Sequence, residues 1–288
     1  MEKSEFKQRS MFAETWKRLR KNKGAMAGLV IVIILLLLAL FAGVIYDYDT
    51  DVIGQNYDEL LQSPSWKHIL GTDECGRDLL ARIIYGSRAS LFISFAAVII
   101  AACIGCFFGA IAGYFGGWID SVIMRFTDIL LAIPETLFAI TLVAALGANT
   151  ATLIFALAIS NIAIYCRLLR GSVMTQRGSE HVEAAKAIGA RTGTIIVDHI
   201  LPNCLAPVLV QLTLSVATTI LTISGLSFLG LGVAAPMPEW GSLLSSSRSY
   251  IREHTYYTIF PGLAIMITIL SLNLLGDGLR DALDPRLR

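Results

Sequence analysis

Glu183-Ala184-Ala185, Gly189 and His199-Ile200-Leu201-Pro202-Asn203 form a polar insert between two strongly apolar stretches. A carboxylate beside two minimal side chains suits contact with another protein, because the charge fixes a register and the alanines allow close approach. Ser179 can cap a short helix whose first turn carries Glu180 and Glu183, where the helix dipole favours anions, and Gly189 can end it. Thr192 can start a second helix, apolar at Ile195, Ile196 and Ile200, which Pro202 closes. Both helices are expected to lie across a membrane surface.

Charges inside apolar runs are costly and draw a functional reading. Arg125, Asp128 and Glu135 are such charges, with Pro134 between the last two. Arg125 and Asp128 stand three apart, so they can pair with each other or snorkel. Glu135 lies one and a half to two turns beyond Asp128 on a continuous helix, with a carbonyl freed by Pro134. Asp128, Glu135, Asn161 and Asn273 are the candidates for a solute path, and interhelical hydrogen bonds account for the two asparagines equally well. Five cysteines are scattered, and the Cys103/Cys106 pair sits in an apolar run without the polar surroundings that zinc or redox chemistry needs. Neither a catalytic constellation nor a GxxxxGK[ST] phosphate loop is present.

The elements holding these residues are membrane spans. The chain has 288 residues, of which 55% are hydrophobic and 16% charged, and a mean hydropathy of +0.66, outside the range of soluble domains. A net charge of +1 argues against nucleic-acid binding. A bilayer core of about 30 Å takes about 20 apolar helical residues to cross. Six runs qualify: 25–46, 90–112, 118–146, 150–169, 205–231 and 257–275. The first is read as a retained span, since no small-residue cleavage site follows it.

Lys and Arg set the orientation. Lys3, Lys7, Arg9 and the cluster from Lys17 to Lys23 precede the first span, Arg177, Lys186 and Arg191 lie in the insert, and Arg280, Arg286 and Arg288 close the chain. These segments share one face, which is therefore cytoplasmic. The expected organisation is a cytoplasmic tail (1–24), a first span (25–46), an acidic outer segment (47–88) and a core of five spans (89–288) with an inner loop at 171–204. The outer stretch 47–59 and the loop around Pro236, Pro238, Glu239, Trp240 and Arg252 offer charge and an aromatic group to an external protein. Trp240 fits an interfacial belt equally well. Gly105, Gly109 and Gly113 form a packing face for a partner or for the chain's own core. Gly225, Gly230 and Gly232 either loosen a helix or pack closely.

The Glu-Ala-Ala, three residues, Gly pattern with its following Ile-Leu-Pro-Asn resembles the coupling loop of ABC importer permeases. Leu70-Gly71-Thr72-Asp73, Gly76-Arg77-Asp78, Leu226-Ser227-Phe228-Leu229-Gly230-Leu231-Gly232 and Leu274-Leu275-Gly276-Asp277-Gly278 extend the likeness, in order, to the second permease of the dipeptide, oligopeptide and nickel importers. The resemblance implies an all-α, six-span type I permease in the cell membrane that is not itself an enzyme. It implies a second homologous permease, two ATPase subunits that bind ATP and Mg, and an extracytoplasmic binding protein as partners. Glu183, Ala184, Ala185 and Gly189 become the residues coupled to the ATPase.

No span contains a histidine, so a tight site for a bare transition metal is not expected in this chain. Peptide-type members of the resembled family carry a glutamate three residues before Leu-Ser-Phe-Leu-Gly. Here that position is Ile223, and the stretch to Gly241 looks more like the nickel-importer permease. The expected solute is therefore nickel or a metal chelate, with dipeptides or oligopeptides as the alternative. A channel would need a ring of pore-lining polar groups and no docking loop, and a secondary transporter more spans for its own repeats.

Overall fold

The computed structural model describes residues 11–283. Lys3, Lys7, Arg9, Arg286 and Arg288, used above for orientation, lie outside the described residues. Every regular element in the described residues is helical: α1 (Met11–Leu19), α2 (Lys23–Ile45), α3 (Leu79–Phe115), α4 (Gly117–Ala132), α5 (Glu135–Leu146), α6 (Thr150–Arg177), α7 (Glu180–Ala187), α8 (Thr192–Thr194), α9 (Leu201–Phe228), α10 (Trp240–Ser247) and α11 (Thr255–Leu283). Five helices are long and apolar enough to cross a membrane, and the bent pair α4 and α5 passes the same test only when the two are taken together.

α2 shows what lipid contact does to a sequence. It is apolar all round, only 17% of its most apolar window is buried, and Val30, Ile34, Leu37, Leu40 and Val44 are exposed. In water such a surface would drive association, whereas in hydrocarbon it is solvated. Gly28 meets α11 closely: a Cβ there would lie 2.5 Å from the Ser271 carbonyl.

α3 begins at Leu79, well before the expected Ser90, so the outer segment is shorter than 47–88. Its 37 residues span about 55 Å, more than a bilayer core. Asp78 caps it by accepting from Ala81 N at 2.9 Å. The early turns hide their charge: Arg82 pairs with Asp73, which is fully buried and also accepts from Arg77 Nε at 2.7 Å. Gly105, Gly109 and Gly113 face the chain's own α6, where Cβ atoms would come 2.5, 2.5 and 2.8 Å from the carbonyls of Ile162, Cys166 and Arg170. These glycines therefore pack an internal helix pair.

The third run is not a continuous helix. α4 and α5 meet at an 84° bend, because Pro134 cannot donate a backbone hydrogen bond and pushes Ile133 into extended geometry (φ −98°, ψ 124°). Glu135 is thus the first residue of α5, and no helical rise relates it to Asp128.

The second inner helix also differs from expectation. Pro202 closes nothing, since helix continues from Thr192 to Phe228. The turn from Ile195 to Ile200 is π-helical, with Leu201 N donating to Ile196 O. This wider turn accommodates a ring that would clash with the carbonyl four residues back in a regular helix. At the far end of α9, Gly230 (φ +80°) stops the helix, donating to Ser227 O while Leu231 N reaches Leu226 O. Gly232 packs on Ser227.

The outer segment is fixed by polar contacts to α11. Tyr256 Oη donates to Thr72 O at 3.0 Å, and Tyr257 Oη donates to Glu74. Burial opposes the Arg77 charge, yet the adjacent Asp73 carboxylate holds its guanidinium above the usual range. His68 lies between Asp78 (2.8 Å) and Glu59 (3.2 Å).

Candidate functional site

The polar insert is built around α7. Ser179 occupies the position before the helix, but its hydroxyl donates back to Gln176 O at 2.6 Å instead of capping. The far end closes as expected: Gly189, at φ +80°, donates to Lys186 O, and Ala190 N reaches Ala185 O, the paired bonds of a left-handed C-terminal cap. Nothing lies within 4 Å of a Cβ built at Gly189, so the glycine serves backbone conformation and not closeness to a neighbour.

Seating this short helix takes several contacts. Val182 is fully buried and Ala185 is 4% exposed, both within the main apolar cluster that also holds Ile195, Ile200 and Cys204. Lys186 Nζ sits 6.0 Å from the centre of the Tyr114 ring, at the end of α3. His181 Nε2 lies 3.3 Å from His199 O. These contacts join α7 to α3 and to the start of the α9 helix, so a push on α7 reaches two spans.

The outward face differs from the sequence reading. Glu183 and Ala184 are exposed, but Ala185 points inward and is not open to a partner. Ile188, not anticipated, is 86% exposed and sits beside them on the surface. A large apolar side chain thus stands free in a polar insert, next to the Glu183 carboxylate on the open face. Its sequence signal was an isoleucine directly before the helix-ending glycine.

The intramembrane candidates divide into groups. Glu135 accepts from Asn161 Nδ2 at 3.1 Å, and Asn161 also donates to Leu157 O at 3.0 Å. Asp128 pairs with Arg167 of α6, not with Arg125. One turn along α6, Arg170 makes a bidentate contact to Asp120 of α4, with Nη2 to Oδ2 at 2.6 Å. The angled α4–α5 unit is therefore tied to α6 at three levels. Asn273 sits on α11, a helix that packs against α2 and α9, and does not join this group.

Glu239 and Trp240 offer nothing to an external partner. Both are fully buried. Glu239 accepts from Ser90 Oγ at 2.9 Å and caps α10 through Ser242 N at 3.0 Å, while Trp240 Nε1 donates to Ile83 O at 2.9 Å. An acidic side chain in a loop reads as surface until its cap and its serine are seen.

The sequence pattern described as "Binding-protein-dependent transport system inner membrane component" matches residues 105–288, and that of the "N-terminal TM domain of oligopeptide transport permease C" matches residues 10–64. The "Dipeptide transport system permease protein DppC" of Alkalihalophilus pseudofirmus is 47% identical over 279 residues, 97% of this chain and 91% of the relative. The chain belongs to the ABC importer permeases. The permease is also 43% identical to the "Di/tripeptide transport system permease protein DppC" of Pseudomonas aeruginosa, over 97% of this chain and 93% of the relative. A "Glutathione transport system permease protein GsiD" from Escherichia coli is 42% identical over 97% of this chain and 92% of the relative. Among solved structures, a chain of the MetNI methionine ABC transporter in inward-facing conformations shares the fold, with a TM-score of 0.58 at 16% identity over 72% of the permease and 96% of that chain.

These names do not support the nickel expectation. The clue behind it was Ile223, and the structure shows why it was weak. Ile223 is fully buried in a cluster with Ile93, Ala97 and Leu157. Its identity reports packing of α9 against α3 and α6.

Proposed function

We propose that this permease forms half of the path of an ATP-driven importer for short peptides, and that α7 docks into an ATPase subunit in the cytosol. The peptide reading is supported by the named activities of its relatives, which are dipeptide, di/tripeptide and glutathione transport. The docking reading is carried by the exposure of Ile188, at 86%, directly after a helix whose other face is buried in the core. A second permease completes the path, two ATPase subunits bind ATP and Mg, and an extracytoplasmic protein delivers the solute.

In this mechanism ATP draws the two ATPase subunits together and moves both docked helices. Glu183 sets the register, Ala184 allows close approach, Gly189 fixes the turn and Ile188 fills an apolar groove. Because α7 is packed on the start of α9 and on Tyr114 of α3, its displacement shifts those spans relative to α4 and α5. The path then exchanges an inward for an outward opening, a shift between two discrete packings. Glu135 and Asn161 lie on the path at the α4–α5 bend, and Asp128 and Asn273 are its further polar candidates.

The test combines copurification with uptake. The tagged wild-type permease is expected to retain two ATPase chains and a second permease and to support uptake of a labelled dipeptide. Ile188→Asp and Glu183→Ala should insert normally but retain ATPase about tenfold less well, equivalent to about 1.4 kcal/mol. Full retention and uptake by both variants would remove α7 from the coupling role.

A further inference from the structure

A groove of about 420 Å³ opens between α2 and α3 in the outer half of the membrane-spanning surface. Leu36, Ala39 and Leu40 of α2 form one wall, and Phe92 and Phe95 of α3 the other. Leu40 and Phe92 are exposed, so the groove runs out onto apolar surface that hydrocarbon solvates and water does not. A single charged side chain is found among the described residues that line it: Arg88, one turn before Phe92 on α3.

The Arg88 guanidinium lies at the outward mouth of this groove. A Cβ built at Gly43 would come 3.5 Å from Arg88 Nη1 and 3.2 Å from Tyr85 Oη, and Gly43 stands just before the outer end of α2 at Ile45. Leu36 is seven residues further in, about 10 Å by helical rise. Arg88 Cζ sits 5.3 Å from the centre of the Tyr85 ring, which lies 5.2 Å from that of Tyr48, and such amphipathic rings belong at headgroup height. Thr150, the first residue of the long helix α6, lines the same groove, and the dipole at a helix start favours anions. No carboxylate neutralises Arg88: the ion pairs of the outer segment use Lys67, His68, Arg77 and Arg82, and among the described residues none reaches it. Asp47 and Asp51, next in the chain after α2, are turned onto their own backbone. Asp47 accepts from Asp49 N and Thr50 N at 3.0 Å each, and Asp51 from Asp47 N at 2.9 Å.

We infer that this groove is a binding site for an anionic phospholipid of the outer leaflet, with the phosphate on Arg88 and one acyl chain lying inward along Leu40 and Leu36. Charge and placement select that occupant together. The guanidinium makes no hydrogen bond among the described residues, so its planar set of donors is open to phosphate oxygens. Directly below it lies an apolar channel of the kind that hydrocarbon fills without leaving a polar group unpaired. A zwitterionic lipid brings its own cation beside the phosphate, which Arg88 repels, so a headgroup of net negative charge is preferred. A helix from another subunit could fill the channel, but an apolar one would leave the guanidinium without an anion. The bound lipid ties the outer end of α2, the least buried of the spans, to α3.

The experiment reconstitutes the assembled importer in phosphatidylcholine vesicles that contain a trace of phosphatidylglycerol with a photoactivatable diazirine on one acyl chain. The same diazirine chain on phosphatidylcholine is the comparison probe, and cross-linked residues are mapped by mass spectrometry. The phosphatidylglycerol probe is expected to label residues 36–44 and 88–95 about fivefold more than the phosphatidylcholine probe, the preference that one basic residue gives at a membrane surface. Arg88→Gln should remove the preference and Arg88→Lys should retain it, whereas Ala39→Phe, which fills the groove, should remove labelling by both probes. Equal labelling by the two probes in the wild-type chain, unchanged in Arg88→Gln, would make the groove a place for ordinary boundary lipid and overturn the inference. Absence of labelling there, with residues 36–44 cross-linking instead to a second permease, would make it a subunit interface and overturn the inference too. The wild-type comparison of headgroups decides even where a variant fails to assemble, and either overturning result leaves the importer assignment intact.

Discussion

Asn161 Nδ2 donates to Glu135 Oε1 across 3.1 Å, joining the first residue of α5 to the middle of α6 directly beyond an 84° bend. A carboxyl group in a span needs such a partner, and a hydrogen bond of this kind contributes about 0.5–1.5 kcal/mol. Glu135→Gln keeps an acceptor oxygen facing Asn161, so thermal stability in detergent is expected to fall by less than about 1 kcal/mol. Glu135→Ala should lose the full bond. If Glu135 meets the solute, the Gln variant alters the KM or the turnover of uptake despite its intact fold. Wild-type kinetics in that variant would reduce the pair to a structural tie.

Asp73 makes a different kind of claim, because it is fully buried between two guanidiniums, Arg77 and Arg82. It also accepts from the backbone N–H groups of Cys75 (2.8 Å) and Arg77 (3.0 Å). Asp73→Ala would strand the buried Arg82 and leave Arg77 only its 3.7 Å pair with Glu74, a loss of about 3–5 kcal/mol. The expected result is a large drop in melting temperature and rapid proteolysis between residues 47 and 78. A melting temperature within error of wild type would show that the Thr72–Asp78 turn is held by other contacts.

The glycines of α3 and α6 give a matched pair for packing. A Cβ at Gly109 would lie 2.5 Å from Cys166 O, a backbone atom that cannot swing aside, whereas at Gly171 nothing lies within 4 Å. Gly109→Ala should force α3 from α6 and destabilise by about 1–3 kcal/mol. Gly171→Ala should be neutral or stabilise by up to about 1 kcal/mol, from helix propensity. Thermal melts of the two variants check the sign of each change, and equal behaviour would contradict the close α3–α6 contact.

Legibility in the sequence followed the range of the forces involved. Spans such as α2 and α6 were readable because a run of apolar residues is a local property, and Gly189 because a left-handed cap is local too. The α4–α5 angle was not readable: Pro134 announces a break, but its size is set by the ties of Asp120 and Asp128 to α6, about forty to fifty residues away. Pro202 misled for a related reason, since a single π-helical turn lets the chain pass it. Ala184 and Ala185 looked alike as neighbours in sequence, and only packing against Ile195 and Ile200 decided which one faces outward. Glu239 read as a surface charge because its partner, Ser90, lies in another helix.

The outer segment carries a pH dependence whose direction follows from its carboxylates. The hydrogen bond from Lys67, together with His68 beside it, holds the Glu59 carboxyl below its usual range. Hydrogen bonds from the Thr50 backbone and hydroxyl do the same for Asp47. A depressed folded value means that folding favours the ionised form. The contribution is then complete above the ordinary carboxyl range near pH 4 and is lost as pH falls through the depressed values. Glu59→Gln removes the titrating group. The difference in melting temperature between wild type and Glu59→Gln should therefore hold above the ordinary carboxyl range and shrink as pH falls below it. Glu59 is half-buried, but its partner Lys67 is exposed, so added salt should shrink the same difference at neutral pH. A difference that grows on acidification would reverse the assignment of which protonation state the fold prefers.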